Sequence, residues 1–238
     1  NEDLAPADHP TDAQVADGKA ARFAMQPAAS KANTVIRVLV HATTAAINAS
    51  GSISSLIDLA VAEANQSYAN SGVSITLQLA GKYSIAYTES GSFNTDLTRY
   101  RGTTDGYMDS IHSTRNSRTA DVAVLFINNS SSCGLASAIG ASATTAFAAV
   151  HWDCATGYYS FGHEIGHLQA ARHDPANDPT NTPYAYGHGY QFAAGGWRTV
   201  MAYNCSTGCT RINYWSNPSR SYGGNPMGTS TRNNNARV

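Results

Sequence analysis

What this chain has little of narrows the field first. Charged side chains make up 13% of its 238 residues, with a formal net charge of −1. A balance that close to neutral offers no basic stripe for nucleic acid and no polybasic patch for an anionic bilayer, so neither partner is expected. Lysine is scarce, confined to Lys19, Lys31 and Lys82. No stretch approaches the ~18 apolar residues that mark a membrane-spanning helix, so no bilayer span is expected. The first residues lack the basic-then-apolar layout of a signal peptide, which leaves open a leader already removed. Heptads, internal repeats and long low-complexity tracts are missing as well, which argues against coiled coils and solenoids.

Cys133, Cys154, Cys205 and Cys209 stand in a chain rich in Ser, Thr, Asn, Ala and Gly. An even count in that setting suits two disulfides and an oxidising compartment, hence secretion. Four cysteines allow three pairings, and short separations favour Cys133 with Cys154 and Cys205 with Cys209. A zinc–thiolate site is the competing reading, but Cys205 and Cys209 lack a second pair at finger-like spacing.

The length suits one catalytic unit. Residues 1–30, dominated by Ala, Asp, Pro and Gln, read as an extended arm or a propeptide remnant. Residues 31–238 read as the folded unit, with an upper subdomain at 31–173 and a lower one at 174–238. The β-branched run Val35–Val40 predicts a first buried strand. Residues 52–70 predict a helix with Ile53, Leu56, Ile57, Ala60, Val61 and Ala64 on one stripe, followed by a strand at Val73–Leu79. A second helix is expected at 103–115, a central strand at Asp121–Ile127 and another at Phe147–Trp152. The small residues from 134 to 149 suit an exposed edge strand or a surface loop. Beyond residue 174, repeated Pro and Gly break the pattern into loops. The fold class expected is α+β, a twisted mixed sheet with helices and a loop-rich C-terminal part.

Chemistry concentrates at Phe161–Asp174 (FGHEIGHLQAARHD), where an HExxH pair precedes a third histidine six residues after the second. Positions four apart share one helical face, so His163 and His167 can aim imidazole nitrogens at one metal ion. A lone HExxH recurs by chance in helices, and His173 is what makes the pattern specific. Three neutral imidazoles suit Zn2+ with a fourth position open. Glu164 is then the carboxylate placed to act as general base on a metal-activated water. On a straight helix His173 would fall about 80° off that face, so the chain must turn first. His9, His41, His112, His151 and His188 have no comparable company and read as surface or satisfied polar residues, with His188 a candidate for lining a cleft.

HExxHxxxxxHD, followed about thirty residues on by Thr199-Val200-Met201-Ala202-Tyr203, resembles the metzincin metallopeptidases. The resemblance implies a metzincin-like fold with a zinc-binding active-site helix and a methionine turn at Met201 beneath the zinc. It implies that Tyr203 serves the zinc or the transition-state oxyanion. Peptide or protein substrates would lie along an edge strand, placed here at Leu135–Ala141. HEIGHLQAARHDP, PYAYGHGY, WRTVMAYNC, INYWSNP and NNARV are further similar to the bacterial peptidyl-Asp metalloendopeptidases of the Asp-N type, secreted enzymes that cut before aspartate. An aspartate entering a desolvated pocket calls for a cation. Arg198 and Arg211 are the candidates, with Arg172 and Arg220 weaker ones. Metzincins carry glycine where this chain has Ala170, and a positive φ on a non-glycine residue costs roughly 1–2 kcal/mol. Either Ala170 bears that cost or the turn is shaped differently. A monomer is expected. A broad-specificity metzincin and a catalytically weak zinc-containing binding module are the rival readings, and a panel of peptide substrates separates them.

Overall fold

Strands that alternate between two apolar faces need helices on both sides of the sheet, and this chain supplies them. The computed structural model describes Asp3, Leu4 and residues 33–238; the remainder of the expected arm at 1–30 lies outside the described residues. The chain runs through β1 (Thr34–Thr43), α1 (Thr44–Ser50), α2 (Ile53–Ser71), β2 (Ile75–Ile85), α3 (Phe93–Arg101), α4 (Ile111–Ser117), β3 (Val122–Ile127), β4 (Gly134–Ala136), β5 (Phe147–His151) and α5 (Ser160–Leu168). Among the described residues the main sheet has the order β2-β1-β3-β5-β4. The β1–β2, β1–β3 and β3–β5 pairs are parallel, and β4 alone runs antiparallel to its neighbour.

Every residue of β3 is buried, as its unbroken apolar run requires in the centre of a doubly covered sheet. Val122, Val124 and Phe126 face α2 and α5, packing with Ile57, Ala64, Phe161 and Ile165. Ala123, Leu125 and Ile127 face α3 and α4, packing with Leu97, Tyr100 and Ile111. Thr43 Oγ1 accepts from the Ala46 amide and caps α1, while Gly72 closes α2 in the left-handed conformation at φ 70°. No single described helix is long and apolar enough to cross a membrane.

Two expectations need correction. The helix expected at 103–115 begins only at Ile111, because Asp109 draws the amides of Asp105 and Gly106 into turns. The edge expected to be exposed at Leu135–Ala141 is a three-residue strand, Gly134–Ala136, that is fully buried. The chain leaves the sheet soon after it, and Gly140 and Ala141 donate their amides to His167 and Leu168 carbonyls at 2.9 and 2.8 Å. Those carbonyls end α5 and have no partner within the helix.

After α5 come short strands, β6 (Gln191–Phe192), β7 (Trp197–Arg198), β8 (Thr210–Arg211), β9 (Asn217–Tyr222) and β10 (Asn225–Met227). Disulfides join Cys133 to Cys154 and Cys205 to Cys209. The first ties the approach to β4 to the exit of β5, and the second pins the loop between β7 and β8.

Candidate active site

His163, Glu164 and His167 lie on α5, which is wholly buried. Gly166 lets that helix settle onto its floor, since a Cβ there would lie 3.0 Å from Met201 Sδ and collide with the Trp215 ring. Met201 is thus packed directly beneath the metal-binding turn. The helix stops in a Schellman arrangement, Ala171 N donating to Gly166 O and Ala170 N to His167 O, both at 2.9 Å. Ala170 occupies the left-handed position at φ 80°, so alanine itself bears the strain and the chain swings round to present His173.

The three Nε2 atoms then converge, with separations of 3.1, 3.0 and 3.0 Å. His163 Nδ1 donates to Val200 O at 2.8 Å and His167 Nδ1 to Ala171 O at 2.9 Å. A carbonyl only accepts, so in both rings the proton sits on Nδ1 and Nε2 presents a lone pair. Lone pairs facing one another at that distance repel unless a cation lies between them. Tetrahedral nitrogens at ~2.0–2.1 Å from zinc stand about 3.3 Å apart, close to this spacing. Burial first, then the neighbouring imidazoles, hold His163 and His173 neutral well below the ordinary histidine range, and burial takes His167 to about 4. Neutral imidazole is the zinc-binding form, and the donor set fits zinc.

Both Glu164 carboxylate oxygens are buried without a hydrogen-bond partner among the described residues. Burial, and then the nearby Asp3 carboxylate, raise its pKa well above the usual glutamate range. Gly134 permits this approach, because a Cβ on it would run into Glu164 Oε1. Edge strand and carboxylate are therefore in contact.

A chain of bonds fixes the rest of the site. Asp174, beside the third histidine, accepts from the Tyr203 amide at 2.9 Å, and the Tyr203 ring lies 4.2 Å from that of His173. His188 is buried, and its Nδ1 donates to His173 O at 2.8 Å, behind the ligand.

The candidate arginines separate. Arg198 donates to Ala202 O, Cys209 O and Tyr158 Oη, so its guanidinium ties loops together. Arg211 lies under the Tyr158 ring at 4.2 Å and pairs with the Asp3 carboxylate at 2.9 Å. Arg172 pairs with Asp178 at 2.8 Å, and Arg220 sits beside Gly72. Asp3, Tyr158 and Asp174 were not foreseen as site residues, although the position of Asp174 next to His173 was a usable signal.

A sequence model of metallo-peptidase family M12, reprolysin type, matches residues 32–216. The chain belongs to that family. Among its relatives, a protein of Stenotrophomonas maltophilia (strain R551-3) named peptidyl-Asp metalloendopeptidase is 60% identical over 246 residues. That match covers 100% of this chain and 59% of the relative, so the chain spans about three fifths of the relative's length. A Pseudomonas fragi protein of the same name is 50% identical over 67% of this chain and 85% of its own. A solved structure described as "Structure of a chaperone-substrate complex" aligns at a TM-score of 0.66 with 19% identity, over 86% of this chain and 33% of its own. It speaks to the fold alone. Within the M12 family, then, the His163, His167 and His173 triad is a zinc site with Glu164 beside it.

Proposed function

We propose that this M12 chain is a zinc endopeptidase that cuts peptide bonds on the N-terminal side of aspartate and works outside the cell as a monomer. The observation that carries the reading is the convergence of three neutral imidazole nitrogens beside a buried, unpaired carboxylate. Zinc, when bound, polarises the scissile carbonyl and lowers the pKa of water towards about 7. Glu164 takes the proton from the attacking water and later gives it to the leaving amine. The Tyr203 phenol, held near His173 by its amide bond to Asp174, is assigned to the developing oxyanion. Arg211 is assigned to the substrate aspartate, since it already holds a buried carboxylate, whereas Arg198 is assigned to loop structure. The names of the relatives agree with that specificity. Two disulfides and the secreted character implied by the composition support an extracellular setting.

The test uses matched peptides with Asp, Asn, Glu or Leu at one position, with and without a zinc chelator, and maps the cuts by mass spectrometry. Chelator-sensitive cutting before Asp, absent in Glu164→Gln, is the expected result. Cutting that ignores the varied position would discard the aspartate pocket, and zinc-loaded protein without any cleavage would overturn the enzyme reading.

A further inference from the structure

A cavity of about 150 Å3 lies between helix α3 and the edge strand β4. Asn94, Leu97, Thr98 and Arg101 line it from the helix, and Leu135–Ser137 line it from the strand. The helical residues recur at i, i+3, i+4 and i+7, so they form one face of α3. Leu97 and Leu135 are buried and give an apolar floor, while Asn94 and Thr98 are exposed and mark the mouth. Arg101 ends α3 partly buried, and its guanidinium makes no hydrogen bond or ion pair among the described residues. Arg99, two residues earlier, is engaged instead: it donates to Tyr87 Oη at 3.1 Å and lies 3.8 Å over the Tyr107 ring.

The pleat of β4 joins this cavity to the path of a bound peptide. His151 N donates to Cys133 O and Ser137 N to Phe147 O, so those residues turn their backbone groups inward to β5. Gly134 and Ala136 turn theirs outward, where an added peptide strand would pair. Side chains alternate too. Ala136 packs with Phe161 on the α5 side and a Cβ on Gly134 would meet Glu164, whereas Leu135 packs with Leu97 on the α3 side. A peptide paired to this edge alternates in the same way. Its aspartate points to the α5 side, where Arg211 lies under the ring of Tyr158, two residues before α5. The residues on either side of that aspartate therefore point towards α3.

We propose that the cavity between α3 and β4 is a second anion-reading subsite, in which Arg101 takes the carboxylate of a glutamate next to the substrate aspartate. The inference rests on the reading of the chain as an endopeptidase that cuts before aspartate. The volume is well above the ~10–15 Å3 that admits one water, so a side chain of glutamate length has room. A guanidinium presents its N–H donors as a fork that matches a carboxylate, and Asn94 and Thr98 add polar groups at the mouth. A lysine entering the same cavity finds no carboxylate among the lining residues and loses hydration beside a like charge.

The test is steady-state cleavage, by the zinc-loaded full chain, of peptides that share one aspartate and carry Glu, Gln or Lys immediately before or immediately after it. Glu is expected to exceed Gln by about three- to ten-fold in kcat/KM at one of the two positions, mostly through KM, as suits a partly exposed charge-assisted hydrogen bond. That ratio should shrink at about 1 M salt, where charges are screened within about 3 Å. Arg101→Gln should bring the Glu/Gln ratio close to one, and Arg101→Glu should turn the preference to Lys. Arg99→Gln, on the same helix, should keep the parent ratio. A ratio taken within one variant does not depend on how much of that variant is active, so partial misfolding leaves it readable. A parent ratio near one at both positions, one that survives Arg101→Gln, or one lost equally in Arg99→Gln would overturn the inference and leave cutting before aspartate intact. No cleavage before aspartate in any peptide would remove the specificity reading, and the inference with it.

Discussion

Replacing Arg211 by methionine removes the cation proposed for the aspartate pocket while keeping a side chain of similar length. In the structure Arg211 already holds a carboxylate, that of Asp3, 2.9 Å away with both partners buried. Removing one partner of a buried, hydrogen-bonded charge pair costs roughly 2–5 kcal/mol. At about 1.4 kcal/mol per decade, kcat/KM for an Asp peptide should fall roughly 30- to 4000-fold. An Asn peptide gains nothing comparable from the guanidinium and should change by no more than about ten-fold, an allowance for one neutral hydrogen bond. The Asp/Asn ratio is the deciding number, because any general loss of activity in the variant affects both peptides and cancels. Losing the cation–π contact with Tyr158 adds about 0.5–2 kcal/mol of instability. That lowers the melting temperature by a few degrees, so the assay is run on variant protein shown to be folded and zinc-loaded. An Asp/Asn ratio unchanged in such protein would refute the assignment of Arg211.

Three further outcomes are expected. Ala170→Gly relieves about 1–2 kcal/mol of strain but loses about 0.8 kcal/mol of methyl burial and about 0.4–1 kcal/mol through unfolded-state entropy. Its melting temperature should stay within a few degrees of the parent, while β-branched Ala170→Val should melt distinctly lower. Chelation should lower the melting temperature of the parent, and excess zinc should restore it, by an amount that follows metal concentration; His167→Ala should show neither effect. Burial holds His41 near pKa 4, against 6.5 unfolded, with its Nδ1 bonded to Tyr100 Oη at 2.8 Å. The unfolded chain therefore binds the extra proton first, and stability falls as pH drops from 6.5 towards 4, by up to about 3 kcal/mol. Urea melts of the parent and His41→Gln across that window should differ in slope; parallel curves would remove His41 as the cause.

The metal ligands were legible because helical spacing is local, and three histidines within eleven residues need only one turn to meet. The first strand–helix–strand unit was legible for the same reason, its apolar periodicity being written over long segments. Helix α3 was not, because Phe93, Leu97 and Tyr100 are diluted among polar residues and the helix is short. Choosing between Arg198 and Arg211 required knowing that the first turns inward to loop carbonyls. The edge strand was placed correctly in order, but its burial depends on α3 and α5 closing over it. No local pattern could reveal Asp3, whose partners lie some two hundred residues away.

One strip of the fold sets a timetable for the whole site. The His188 ring supports His173 from behind, and the backbone around it is held by later residues: Asn233 donates to Gly189 O, Asn235 to Gly187 O, and Ser216 to His188 O. A chain emerging from a ribosome has made every zinc ligand, Glu164 and Tyr203 before the residues that brace them exist. A nascent chain built this way lacks the bonds that brace the backbone behind His173 until synthesis has passed Asn235. Chains truncated before Asn233 should bind zinc loosely and cleave nothing.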